Sequence, residues 1–217
     1  YLDALLAGER RRASELILDA VEDGTSVREI YLHVFQPCQR EIGRLWQRNE
    51  VSVAEEHYVT AATQLIMSQL YPRIFSAQKT DHRLVATCVG GELHEIGVRM
   101  VADFFEMEGW DTYYLGANTP TESVLKTLAW RQPDLLGISA TITFNLDGVI
   151  DLVRQVRSTD VGRELPILVG GRPFNTANGL WERVGADGYA PDAREAIRRA
   201  EELRSKQGQA GRGDGRR

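Results

Sequence analysis

From Arg83 onward the chain alternates short β-type runs with amphipathic helical stretches, and this alternation leaves few folds open. The runs are Leu84–Val89, Thr112–Leu115, Leu135–Ser139, Ile167–Val169 and Gly188–Tyr189. Helical patterns follow each of them, at Glu95–Glu108, Thr121–Arg131, Leu146–Arg157, Thr176–Val184 and Ala193–Leu203. Antiparallel strands can be joined by a two-residue turn, whereas parallel ones need a crossover of a dozen residues or more, usually a helix. The spacing therefore predicts a five-stranded parallel sheet covered by helices on both faces. Thr119-Pro120 reads as a helix cap followed by a proline at the first helical position.

The order expected for such a doubly wound sheet is the flavodoxin-like (Rossmann-like) one. Residues 1–78 carry a different pattern and predict a four-helix bundle. Ala13, Leu16, Ile17, Ala20 and Val21 form an apolar stripe at spacings of three and four. Thr25-Ser26 and Ser52 offer caps, and Pro37 marks a break or kink. The longest helix is expected from Ser52 to about Phe75, with Val59, Ala62, Ile66, Leu70 and Ile74 inward. The α/β domain is placed at residues 82–204, and the Gly- and Gln-rich remainder, 205–217, reads as a disordered basic tail.

Charge and cysteine usage narrow the setting. The net charge is −5, yet Arg204 to Arg217 holds five basic residues against one acid, a net of +4, which leaves −9 on residues 1–203. An acidic body repels phosphate backbones, so no nucleic-acid partner is expected. Nor is a membrane, because no run approaches the roughly 18 apolar residues of a spanning helix. Cys38 and Cys88 lack metal-ligand spacing and read as buried thiols, which suits a cytoplasmic protein. The chain begins at Tyr1 and is expected to be part of something longer, with an output domain or partner outside it.

The chemistry concentrates in Gly90-Gly91-Glu92-Leu93-His94-Glu95-Ile96-Gly97, between the first strand and its helix. A loop there lies at the mouth of an open α/β sheet, where ligands bind. A carboxylate on one imidazole nitrogen sets the tautomer and raises the basicity of the other, a common arrangement behind a metal ligand. One histidine cannot hold bare zinc, which needs three or four protein ligands. It can supply one axial bond to a metal already caged in a macrocycle, as haem iron is.

Glu92-x-His94-x-x-Gly97 resembles the Asp-x-His-x-x-Gly motif of cobalamin-binding domains, with Glu in place of Asp. The resemblance continues in order with Ser139-Ala140-Thr141, similar to the family's Ser-x-Leu strand end, and with Gly170-Gly171. It implies that His94 binds cobalt from below in place of the cofactor's own base. It implies also that Glu92, Leu93, Gly97, Ser139, Thr141, Gly170 and Gly171 contact the cofactor or its nucleotide tail. Thr141 departs from the family's leucine.

In the bundle, Trp46 is followed after nine residues by Glu56-His57. This spacing resembles the upper-face motif of CarH-type photoreceptors, which hold 5′-deoxyadenosylcobalamin. By that resemblance Trp46 packs on the adenosyl group, Glu56 bonds to it and His57 supports the pocket. The bundle is then a lid, and the expectation is a light sensor and homo-oligomer whose arrangement changes when the Co–C bond breaks. Gln47 stands where such receptors can carry a cobalt-capturing histidine, and an amide is the weaker ligand. His33 and His82 carry no motif and read as structural or solvated. The alternative is a corrinoid methyl carrier of a methyltransferase system; a light-independent cobalamin-sensing scaffold and a phosphoryl-accepting receiver are further readings. The receiver fits worst, because the strands ending at Val89 and Ser139 lack the acidic residues it needs.

Overall fold

A computed structural model describes residues 1–75 and 78–213, with side chains through Arg204 and Ser205. The chain divides into two compact units, Tyr1–Ser76 and Ala77–Arg217.

The first unit is helical: α1 (Leu2–Leu6), α2 (Arg10–Glu22), α3 (Val27–Ile30), α4 (Gln36–Gln47), α5 (Val53–Gln69) and α6 (Tyr71–Ile74). Ser26 and Ser52 each close a capping box, with Glu29 and Glu55 respectively. Each box satisfies two backbone donors that a helix start otherwise leaves open. Pro37 does not break the helix. A π-helical turn at Tyr31–Phe35 joins α3 to α4, and the Gln36 N–H reaches back to Tyr31 O. That wider turn accommodates a residue that has no N–H and whose ring crowds the preceding turn. The expected helix to Phe75 is also divided: α5 stops at Gln69, and Pro72 lies in the first turn of α6. Ala13, Ile17 and Val21 are buried as a stripe, but Leu16 is exposed, because burial follows every fourth residue and Leu16 falls beside that line. Val59, Ala62, Ile66, Leu70 and Ile74 are all buried.

The second unit alternates β1 (Arg83–Val89), α7 (Ile96–Met107), β2 (Asp111–Thr119), α8 (Thr121–Arg131), β3 (Leu135–Ser139), α9 (Leu146–Arg157), β4 (Ile167–Gly170), α10 (Arg172–Thr176), α11 (Leu180–Arg183), β5 (Gly188–Ala190) and α12 (Ala193–Gly213). The strands form one sheet in the order β2-β1-β3-β4-β5. Every pairing is parallel, which is the flavodoxin-like winding. Side chains of β1 alternate between the two faces. Val85 and Val89 join a core with Leu136, Ile138, Val149 and Leu152. Leu84, Ala86 and Cys88 join another with Val98, Phe105, Trp110 and Ala196. Burying each of the larger side chains contributes roughly 1.5–3 kcal/mol.

Three local expectations change. Thr119 ends β2, and the N-cap of α8 is Pro120, at φ −63° and ψ 140°. Proline favours an extended residue before it, so Thr119 continues the strand. The helix expected at Thr176–Val184 is two short helices separated at Ala177–Gly179, where Ala177 is extended and Gly179 adopts φ +69°. Finally, α12 passes its expected end at Leu203 and is helical to Gly213. The tail expected at 205–217 otherwise lies outside the described residues.

Candidate cofactor site

The carboxyl ends of the strands lie level along one edge of the sheet. Register sets Val89 beside Thr119, Cys88 beside Ser139, Ser139 beside Gly170 and Gly170 beside Ala190. The loops leaving β1, β3 and β4 therefore open side by side. Between β1 and β3 the winding reverses, the crevice in which sheets of this kind take ligands.

Glu92 organises the first of these loops. It is fully buried, and its carboxylate accepts five hydrogen bonds. Oε1 takes His94 Nδ1 at 2.5 Å and the His94 N–H at 3.0 Å. Oε2 takes the N–H groups of Thr141 at 2.7 Å and Ile142 at 3.2 Å, and Asn145 Nδ2 at 2.9 Å. Burial works to raise the carboxyl pKa, but the donors on His94, Thr141 and Asn145 prevail and hold it at about 2, against an ordinary 4.5. Glu92 is thus a buried anion held by the β1 and β3 loops together. Its proton partner, His94, has a side chain 44% exposed. A neutral ring that donates from Nδ1 carries its lone pair on Nε2, the atom suited to a metal.

Thr141 contributes its backbone, so its departure from leucine costs this contact nothing. Ser139 closes β3 and Gly170 closes β4. Gly171 holds φ +107°, and a Cβ there would stand 1.9 Å from Ala140 O, so only glycine lets the β4 loop approach β3 this closely. Gly97 lies in the first turn of α7 with open space where a Cβ would project. Leu93 is 70% exposed, and on the β3 loop Ile142 and Phe144 are 46% and 89% exposed. Apolar side chains exposed together at a sheet mouth suit a flat organic ligand.

Sequence reasoning missed Asn145, Asn118, Ile142 and Phe144. Asn145 had a signal: it precedes the helix expected at Leu146, where asparagine normally caps. It does occupy the N-cap, but its side chain makes no cap bond and turns to Glu92 instead. Phe144 and Ile142 were visible as apolar residues in a stretch otherwise read as loop.

Trp46, Glu56 and His57 lie in the helical unit, around the α4–α5 connection. Trp46 is 44% exposed. Glu56 accepts the Thr60 hydroxyl at 3.0 Å and lies 3.6 Å from His57 Nε2. The same Thr60 hydroxyl lies 2.9 Å from Gln39 Oε1, so the two acceptors share its one proton. His82 packs against Trp110, ring centroids 5.2 Å apart and planes tilted by 57°. Burial pushes the Cys38 and Cys88 thiols up to about 11 and about 12, so neither is a nucleophile near neutrality. Among the described residues no group of three or more His, Cys, Asp or Glu side chains is placed to hold a metal ion. No helix among them is long and apolar enough to cross a membrane.

A family model described as B12 binding domain matches residues 82–198, and a second model of the same description matches residues 1–71. Dimethylamine corrinoid protein 3 of Methanosarcina acetivorans is 26% identical over 197 residues, covering 87% of this chain and 90% of the relative. The solved monomethylamine corrinoid protein of Methanosarcina barkeri shares the fold at TM-score 0.83 and 23% identity, over 93% of this chain and 95% of that one. A chain from the methanol:cobalamin methyltransferase complex of the same organism shares it at TM-score 0.52 and 18% identity, over 93% and 77%. The relatives bear the names of corrinoid proteins and not of light receptors, which overturns the light-sensing assignment. The assignment rested on Trp46, Glu56 and His57, and an exposed indole beside an acidic helix start is too common an arrangement to specify an adenosyl group.

Proposed function

Because the chain belongs to the family of B12-binding domains, we propose that it is a corrinoid protein that carries a methyl group between partner methyltransferases. The observation that carries this reading is the Glu92–His94 pair, an anion buried at the sheet mouth with an imidazole bonded to it through Nδ1. The donor set fits a corrinoid: one imidazole for a cobalt that brings its own ring, exposed apolar side chains beside it, and a glycine that a Cβ would block. Relatives named as corrinoid proteins of methylated amines support the choice of a methyl group over adenosyl. Bound cobalamin supplies a cobalt atom that can take up and give up a methyl group.

His94 would hold that cobalt, and the chain's own residues set up the imidazole for it. Glu92 holds the Nδ1 proton of His94, fixing the ring's tautomer and making Nε2 the stronger donor. Thr141, Ile142 and Asn145 hold Glu92 ionised and in place, which keeps the imidazole's partner charged and oriented. Ser139, Gly170 and Gly171, brought together by the register and close approach of the β3 and β4 ends, would line the path of a nucleotide tail. Leu93, Gly97, Ile142 and Phe144 offer apolar or bare surface beside the ring.

The test loads the protein in darkness with methylcobalamin, hydroxocobalamin or adenosylcobalamin, then adds a cobalamin-dependent methyltransferase and a thiol acceptor. Methyl- and hydroxocobalamin should bind at least as tightly as adenosylcobalamin, and labelled methyl should reach the thiol only with both proteins present. Retention of adenosylcobalamin alone, with no transfer, overturns the reading.

A further inference from the structure

The end of β2 is irregular where a sheet edge has no need to be. Its ladder with β1 slips twice, between Ala86 and Thr87 and between Thr87 and Val89. Gly116 and Asn118 adopt φ +80° and φ +50°. A side-chain-bearing residue in the left-handed region costs roughly 1–2 kcal/mol, although asparagine tolerates it better than most. The distortion turns the tip of β2 onto the loop that carries His94. Asn118 Oδ1 accepts the Gly91 N–H at 2.7 Å, and the Asn118 N–H donates to Glu92 O at 2.8 Å. On the far side of the histidine, Glu95 Oε2 accepts the Ala117 N–H and the Tyr114 O–H, each at 2.9 Å. A Cβ on Gly116 would lie 2.9 Å from that same Glu95 oxygen. Gly91, Glu92 and Glu95, the residues around His94 in sequence, are therefore all tied to one strand tip.

We propose that Asn118 is a positioning residue for His94, holding the β1 loop through Gly91 and Glu92 so that the imidazole stands ready for cobalt. The proposal rests on His94 being the lower ligand. The brace is separate from the one that β3 supplies through Thr141, Ile142 and Asn145. Those three grip the Glu92 carboxylate, whereas Asn118 grips the backbone on which that carboxylate is mounted. With both in place the loop is fixed before the cofactor arrives, and binding is spared the ordering of a free loop. Gly116 serves the same end by making room for the Glu95 carboxylate against the strand.

The experiment uses the full chain and three variants, Asn118→Gly, Asn118→Ala and Asn118→Asp, each titrated with hydroxocobalamin and with methylcobalamin. The readouts are affinity, the visible spectrum that reports histidine on cobalt, and the pH at which that spectrum is lost; apo-protein melting is recorded beside them. Asn118→Gly keeps the left-handed backbone at no steric cost and keeps the bond to Glu92, so it folds and lacks only the side-chain acceptor. It should bind about tenfold more weakly, the low end for losing an outer-shell partner, with a smaller histidine-ligated fraction. Asn118→Asp retains an acceptor and should restore both. The brace is refuted by an Asn118→Gly protein whose affinity and ligation match the parent, or by an Asn118→Asp protein no better than it. A spectrum indifferent to His94→Ala would instead refute the ligation itself, so the two failures are told apart.

Discussion

Asn145 Nδ2 lies 2.9 Å from Glu92 Oε2, joining residues 53 positions apart inside the mouth of the sheet. The bond makes the loop after β3 a partner of the loop after β1, and both residues are buried. Replacing Asn145 by alanine leaves the Glu92 anion one donor short, an expected loss of about 1–3 kcal/mol. Asn145→Asp should be worse at pH 7, because it sets a second carboxylate against the first in a buried place. Urea unfolding of the apo-protein measures both; an Asn145→Asp protein as stable as the parent would contradict the arrangement.

Glu92 also dictates how stability responds to acid. Its carboxyl is held at about 2 in the folded protein, below the ordinary 4.5. A lowered folded-state pKa means that the unfolded chain binds the proton more readily. The stabilisation is complete above about pH 4.5 and is lost as pH falls toward 2. Its full size is on the order of 3 kcal/mol. Melts of the parent and of Glu92→Gln should differ most above pH 5 and converge near pH 2. A gap that stays constant across that window would show that Glu92 acts through something other than its charge.

Gly171 offers a test of the β4 loop. At φ +107°, with Ala140 O only 1.9 Å from the position of a Cβ, alanine cannot be added unless backbone moves. Gly171→Ala should cost more than the roughly 1–2 kcal/mol of a left-handed residue alone. It should also weaken cobalamin binding, because the shift falls between β3 and β4. Gly43→Ala, in α4 with nothing within 4 Å of the added atom, is the control and should not destabilise. Equal melting of the two variants would rule out the close approach.

The sheet was legible in the sequence because each strand is a short apolar run followed by a helical period, and parallel winding permits little else. Glu92, His94 and the glycines were legible as a motif with fixed local spacing. Asn145 and Asn118 were not, because each acts on the β1 loop from another strand's end, and only the register of the sheet brings them there. Thr141 acts through its N–H, which its side chain does not disclose. The light-sensing reading failed for the opposite reason: it leaned on the spacing of Trp46, Glu56 and His57, and a spacing of common residue types does not specify what an indole or a carboxylate contacts.

Gly97 separates a structural glycine from a functional one. It lies in the first turn of α7, with φ outside the left-handed region and no atom within 4 Å of an added Cβ. Nothing in the apo fold requires glycine there, and alanine is the better helix former by up to about 1 kcal/mol. Gly97→Ala should therefore raise the apo-protein's melting temperature. If the open space belongs to the corrin, the same methyl group intrudes on it, and overpacking of this kind costs about 1–3 kcal/mol. That corresponds to cobalamin binding weaker by roughly 5- to 140-fold. The two effects have opposite signs, so stability cannot account for the affinity loss. Calorimetric titration with hydroxocobalamin, set beside apo melting, decides it: an undiminished affinity would place the corrin elsewhere than over the start of α7.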